Sequence, residues 1–253
     1  MSTRSGAVAG GPVRLVVRIL SELCLTVGAG IVLFVVYVVF WTGVTAQSAA
    51  GDQITALQER WTRSQAPAPA PASSSAPDPT PAPTPTPAPG NGAPEPYRDG
   101  RPFAVMYVPR FGADWDWPVL EGTAAATLRK GLGHYARTAP LGATGNFAVA
   151  GHRRTYGDPF KDFPRLRSGD AVILNDGTTW FTYRVTAEPY RTVPTDTGVV
   201  DPVPEKSGFG RPGRYLTLTT CDPEWGSSHR LVAWARLEST RAVTQGKPPA
   251  FHR

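Results

Sequence analysis

The chain has 253 residues, with 27 prolines and 26 glycines, and 26 Lys and Arg against 20 Asp and Glu give a formal charge of +6. The basic residues are scattered and accompany no nucleic-acid recognition motif. That scatter argues against a nucleic-acid reader, and the excess charge suits an extracellular domain beside anionic wall polymers or lipids.

In chain order, the first feature is Leu23 to Val44, LCLTVGAGIVLFVVYVVFWTGV, which carries no charged side chain. At about 1.5 Å per residue, a helix of that length crosses a hydrocarbon core of roughly 30 Å. Thr45 to Ala49 offers the small residues of a signal-peptide cleavage site, but the apolar run exceeds the roughly 7–15 residues of a signal h-region, so an uncleaved membrane anchor is expected. Arg4, Arg14 and Arg18 precede the run and Thr45 to Glu59 contains no Lys or Arg. That asymmetry predicts a cytoplasmic N-terminus over residues 1–22, a transmembrane helix over 23–44 and everything later outside the cell.

Ile54, Leu57 and Trp61 recur at helical spacing, which predicts a short juxtamembrane helix within residues 45–65. Residues 66–100 follow as a linker; Ala66 to Pro96 is almost all Ala, Pro, Ser and Thr, with too little apolar side chain for a core. In polyproline II form it would reach on the order of 90 Å, which suits a spacer lifting a domain off the membrane, although an inert or glycosylated stalk is equally physical.

A folded domain is expected over residues 101–239. Phe103–Val108, Asn146–Ala150, Ala171–Leu174, Trp180–Thr186, Tyr215–Thr219 and Leu231–Leu237 are rich in β-branched and aromatic residues and are separated by Gly, Pro and Asp. With one short helix over Thr123 to Arg129, these predict a mostly β domain, a closed barrel. Residues 240–253, containing Pro248-Pro249, read as an unstructured tail.

Of the two cysteines, Cys24 lies in the expected span and Cys221 far down the external region, so this topology keeps them from pairing within one chain. An unpaired external thiol is a liability unless it is buried or used. Cys221 ends a strand-like run before the turn-rich Asp222-Pro223-Glu224-Trp225-Gly226; His152 follows a second such run, and Arg230 precedes a third. Acyl transfer needs a nucleophile, a proton carrier and a donor for the developing oxyanion, and thiol, imidazole and guanidinium supply them if these strands are neighbours. A free thiol, with a pKa of about 8.5, also needs nearby cations to raise its thiolate fraction. Taken singly, each residue has a plainer use: Cys221 as a small buried hydrophobe, His152 as a turn residue, Arg230 as a surface charge. His134, His229 and His252 are weaker acid/base candidates. No carboxylate cluster with metal spacing stands out, so neither metal nor cofactor is expected.

The pattern Thr217-Leu218-Thr219-Thr220-Cys221, with Arg230 downstream and Gly151-His152 upstream, resembles the sortase family. Gly151-His152-Arg153-Arg154-Thr155-Tyr156-Gly157-Asp158-Pro159-Phe160 and Gly131-Leu132-Gly133-His134-Tyr135 are most similar to its class E, found in high-GC Gram-positive bacteria. The resemblance runs from about Tyr107 to Leu237. It implies an eight-stranded β-barrel that cleaves an LAXTG-type C-terminal sorting signal between Thr and Gly and holds the Thr as a thioester. An amine of a peptidoglycan precursor, or of another protein, then attacks. It further implies Cys221 as nucleophile, His152 as acid/base and Arg230 as oxyanion and substrate ligand. Tyr135 and Thr220 are candidate substrate-groove residues. Asp222, standing where many class E members have His, is another, with a turn-capping role before Pro223 as the alternative. Two readings compete with transpeptidation: hydrolysis of the same signal, and a non-catalytic wall-binding module. The SHGC-type signature of L,D-transpeptidases is absent, Thr219 and Thr220 preceding Cys221.

Overall fold

The structure is a computed structural model describing residues 11–65 and 97–252, with the side chains of residues 11–13 and 38–44 outside the description. The Pro-rich tract of residues 66–96 therefore lies outside the described residues.

Helix α1 runs unbroken over Gly11–Gln65. Its stretch Arg14–Tyr37, of mean hydropathy 2.3, is long and apolar enough to cross a membrane and fits a single-pass anchor. The sequence reading divided this region into a span and a separate juxtamembrane helix; the backbone makes no such division. Ala and Gln supply eight of residues 45–65 and favour helix, and nothing ends it before Ala66-Pro67, where proline disfavours helical backbone at the preceding residue.

The second half of α1 belongs to the folded domain. Ala46, Ala50, Ile54 and Leu57 are buried, and Trp61 lies on the same stripe at helical spacing. Ile54, Leu57 and Trp61 pack on Val105 and Tyr107. Polar contacts flank them: Gln53 Nε2 donates to the Lys130 carbonyl at 3.0 Å, Arg60 Nη2 to Pro102 at 3.3 Å and Gln65 Nε2 to Gly177 at 2.7 Å. Gly177, at φ +93°, lies under the Trp61 ring, where any Cβ would collide. Leu57 is 2% exposed; truncating a buried leucine costs about 2–5 kcal/mol, so this seam is a stable contact.

The strands are β1 (Pro102–Tyr107), β2 (Asp116–Glu121), β3 (Leu132–His134), β4 (Gly145–Ala150), β5 (Ala171–Asn175), β6 (Thr179–Val185), β7 (Tyr190–Thr192), β8 (Arg214–Asp222) and β9 (His229–Ala242), with helix α2 (Ala125–Leu128) between β2 and β3. Pairing follows β6-β5-β1-β2-β3-β4-β8-β9, and β9 returns to β6, so eight strands close a barrel. β7 lies outside the ring, paired to the first part of β9, while β6 takes the later part. The pairs β2–β3 and β4–β8 are parallel; the others are antiparallel. Met106, Leu132, Phe147, Val149, Val172, Leu174, Tyr183, Leu216 and Leu218 fill the interior.

Three strands were not expected from the sequence. β2 contains Pro118, which reads as a strand breaker; it pairs with Val105 of β1, and the β2–β3 ladder begins one residue later at Val119, so no second neighbour needs its missing N–H. β3 and β7 have three residues each, too few to show a period. The domain also begins earlier than expected, at Tyr97, whose ring stacks on Phe103 at 3.7 Å. It ends later as well. The segment expected to be an unstructured tail continues β9 to Ala242 and then folds back, burying Ala250 and setting Phe251 against Tyr107 and Trp180.

Candidate functional site

Strand alternation sorts β4, β8 and β9 into inner and outer rows. Leu216 and Leu218 of β8, Leu231, Ala233 and Ala235 of β9, and Phe147 and Val149 of β4 point into the barrel core. The other parity points outward: Tyr215 of β8 with Val232 and Trp234 of β9 forms a second apolar cluster, covered by Val199 and Phe209 of the β7–β8 connection. Cys221 and Arg230 have this outward parity and are direct cross-strand partners. On the other side of β8, Ala150 of β4 is paired with Thr219, and the Gly151 N–H donates to the Thr219 carbonyl at 3.1 Å. Continued by two residues, that register would bring His152 level with Cys221. Cys221 and Arg230 thus share one outward row, and His152 follows the end of the strand that flanks β8 on its other side.

His152 opens a loop with an unusual backbone. Thr155, Tyr156 and Asp158 all have positive φ, at 71°, 51° and 53°. Left-handed backbone costs non-glycine residues roughly 1–2 kcal/mol each, and such strain clusters at functional segments. Packing holds the loop: Phe160 and Phe163 are fully buried, Trp115 Nε1 donates to the Pro159 carbonyl at 3.0 Å, and the Phe160 N–H donates to the His152 carbonyl at 3.0 Å. Ion pairs tie the same loop to the β8–β9 connection. Arg153 pairs with Asp222, Arg154 with Glu224, and the Arg154 guanidinium lies 4.6 Å from the Trp225 ring centroid.

The His152 ring is half-buried, and its Nε2 is buried with no hydrogen-bond partner among the described residues. Burial holds the imidazole below the usual histidine pKa, the positive Arg129 adds to that effect, and Asp158 opposes it. Tyr156 lies between, its ring 5.1 Å from that of His152 and 5.4 Å from the Arg129 guanidinium. Burial and Arg129 thus favour the neutral imidazole, and Nε2 is open among the described residues. Arg230 Nη1 donates to the Ser227 and His229 carbonyls, both at 2.9 Å, which leaves the Nη2 and Nε edges of the guanidinium for other acceptors.

The remaining candidates separate clearly. Tyr135 sends its hydroxyl to Thr219 Oγ1 at 3.0 Å, on the outward row that contains Cys221. Thr220 has the opposite parity; its buried hydroxyl donates to the Gly151 carbonyl at 2.8 Å, so it braces the backbone before His152 instead of facing a substrate. Asp222 does not cap a turn as a lone carboxylate would. It accepts from Arg153 and, at 2.6 Å, from Arg191 Nε, and although burial alone would raise its carboxyl, these two hydrogen bonds hold it below the usual carboxylate range. His134, a weaker acid/base candidate, is in β3 and buried, with Nδ1 2.7 Å from Glu121 Oε2 and Nε2 3.0 Å from Thr138 Oγ1. His229 is held by Arg191 at 3.0 Å, and His252 is exposed at the end of the described chain. Sequence reasoning missed Arg129, Arg153, Tyr156 and Arg191. All sit in loops or on a short strand, and a scattered arginine carries no signal of its partner.

A thiol, an imidazole and a guanidinium at the ends of three neighbouring strands of a closed barrel form the chemical set of a cysteine acyl-transfer enzyme. A sortase-domain family model matches residues 106–238. Sortase SrtE1 of Streptomyces coelicolor is 34% identical over 241 residues, covering 92% of this chain and 60% of that protein, so the chain spans only part of that relative. Sortase SrtE2 of the same organism is 29% identical, covering 92% and 86%. Among solved structures, sortase E from Streptomyces avermitilis aligns with a TM-score of 0.59 and 67% identity over 61% of this chain and 99% of that one. Sortase E1 from Streptomyces coelicolor with a tripeptide in the active site gives 0.57 and 39%, over 60% and 96%. The chain belongs to the sortase family, whose members are cysteine transpeptidases, and its similarity is to class E.

Proposed function

We propose that the chain is a membrane-anchored cysteine transpeptidase that cleaves an LAXTG-like C-terminal sorting signal between Thr and Gly and transfers the new Thr carboxyl to an amine of the cell wall. The observation that carries this reading is the direct pairing of Cys221 with Arg230 on the outward row, with His152 just past the end of the strand beside them. Cys221 Sγ attacks the Thr carbonyl while His152 takes the thiol proton. Arg230 donates to the oxyanion through its free edge. The imidazolium then protonates the departing Gly amine, leaving a thioester. An incoming amine gives its proton to His152, attacks the thioester and frees the thiolate, which is reprotonated. Tyr135 borders the groove; Thr220 and Asp222 hold the two loops in place.

Basic Arg14 and Arg18 before the uncharged run of residues 23–44, and the barrel after it, support a single-pass anchor with the barrel extracellular. The partners are then secreted proteins bearing the signal and a peptidoglycan precursor or other amine acceptor. Mass spectrometry of the protein with an LAXTG peptide and an amine tests the reading. A thioester adduct and an amine-linked product, both lost in Cys221→Ala, are expected. Cleaved acid with no amine adduct would mean hydrolysis, and no reaction with any signal variant would favour a binding module.

A further inference from the structure

The strands and α1 share a polarity that fixes which end of the barrel α1 reaches first. β4 and β8 both run toward the Cys221 end, starting from Gly145 and Arg214, and β1 runs toward it from Pro102. Helix α1 meets that end first. A Cβ on Gly157, in the loop after His152, would lie 3.5 Å from the Ala46 Cβ. Gln53 then reaches Lys130, just before β3. Farther along, Arg60 reaches Pro102, and Trp61 and Gln65 reach Gly177, all at the opposite end.

Val44, the last residue of the uncharged apolar run, and Ala46, the first buried contact of the helix, are two residues apart on a continuous helix. That separation is about 3 Å of rise, and a headgroup layer is roughly 5–8 Å thick, so the barrel begins at the lipid surface. The Pro-rich tract does not set this distance. It leaves from Gln65, held on Gly177, and returns at Tyr97, which stacks on Phe103 and accepts from the Leu141 N–H at 3.3 Å. Both attachment points are on the barrel.

A second observation agrees. Among described residues of the barrel domain, the two most exposed large apolar side chains are Trp225, at 71%, and Val193, at 49%. Trp225 is in the β8–β9 loop just after Cys221, and Val193 follows Thr192, the partner of Arg230. Tryptophan with a guanidinium over its ring suits the boundary between lipid and water.

We propose that the Cys221 end of the barrel faces the bilayer, clamped there by α1, with Trp225 at headgroup depth. This places the thiol within reach of substrates that are themselves held in the membrane. The arrangement rests on α1 being a membrane anchor, and its test has no activity readout.

Full-length protein carrying Cys24→Ser and Cys221→Ala takes a single new cysteine, either Trp225→Cys or Thr144→Cys, the latter in the exposed turn before β4 at the opposite end. Each is labelled with bimane and reconstituted into nanodiscs of phosphatidylethanolamine and phosphatidylglycerol, with or without nitroxide-headgroup lipid. Several-fold stronger quenching at position 225 than at 144 is expected, falling when two extra helical turns are inserted after Thr45 and unchanged when residues 66–96 are shortened. Equal quenching, or stronger quenching at 144, would overturn the orientation. A change on shortening the Pro-rich tract would overturn the clamp. Failure to incorporate into the discs would overturn the anchor and this arrangement together.

Discussion

His134 and His152 follow one another along the same side of the barrel, one in β3 and the other just past β4, yet their surroundings are opposites. His134 is 2% exposed in its side chain, has Glu121 on one ring nitrogen and Thr138 on the other, and stacks on Phe147 at 4.6 Å. His152 is half-buried in a loop with left-handed residues and has no partner on Nε2. A buried polar atom left unsatisfied is costly, so it persists where the fold has another use for it. Saturation sets His134 in the core, and the nitrogen left open among the described residues supports the acid/base role proposed for His152.

The largest expected effect lies in the activities. His152→Ala should lower kcat/KM for signal cleavage by about 10²–10⁴-fold while leaving thermal unfolding nearly unchanged; a comparable loss of folding would break the contrast. His134→Ala should do the reverse. It removes a stacked ring and strands the buried Glu121 carboxyl, a loss of about 3 kcal/mol in chemical denaturation with cleavage retained in the folded fraction. A smaller effect is expected at Thr220→Val, which leaves the Gly151 carbonyl without its donor. About 1–2 kcal/mol of stability should go, with a modest drop in kcat, because the backbone before His152 loosens without losing the imidazole.

The smallest change concerns pH. Burial and Arg129 both disfavour the imidazolium, so the neutral base should persist to lower pH than a free histidine, and the acid limb of the kcat/KM profile should lie below the ordinary histidine value. Arg129→Gln removes one of those two influences and should move the limb upward. A limb that moves downward or stays fixed would show that Arg129 does not act on His152.

Much of this site is legible in the sequence. The alternation through Leu216, Leu218 and Thr220 against Thr217, Thr219 and Cys221 gives a strand with two faces, and the Gly151-His152 and Arg230 positions at strand ends are visible beside it. What the sequence does not carry is register. Nothing in the residues around β4 states that Ala150 pairs with Thr219, and that pairing is what sets the strand before His152 beside the one that carries Cys221. Asp222 illustrates the same limit. Beside Pro223 it reads as a turn residue, and only long-range folding brings Arg153 and Arg191 to it. The docked half of α1 was half readable: Ile54, Leu57 and Trp61 announce an apolar stripe, but an amphipathic helix after a membrane span gives no hint of whether lipid, another chain or its own barrel covers that stripe.

The unbroken backbone of α1 also governs azimuth. Each residue turns a helix by about 100°, so under the proposed anchor the direction in which the Cys221 site faces is geared to the rotation of the apolar stretch. Inserting a single residue between Tyr37 and Ala46 would raise the barrel by only about 1.5 Å but swing it by more than a quarter turn. With that anchor, a neighbour gripping the apolar stretch would re-aim the Cys221 site without touching the barrel.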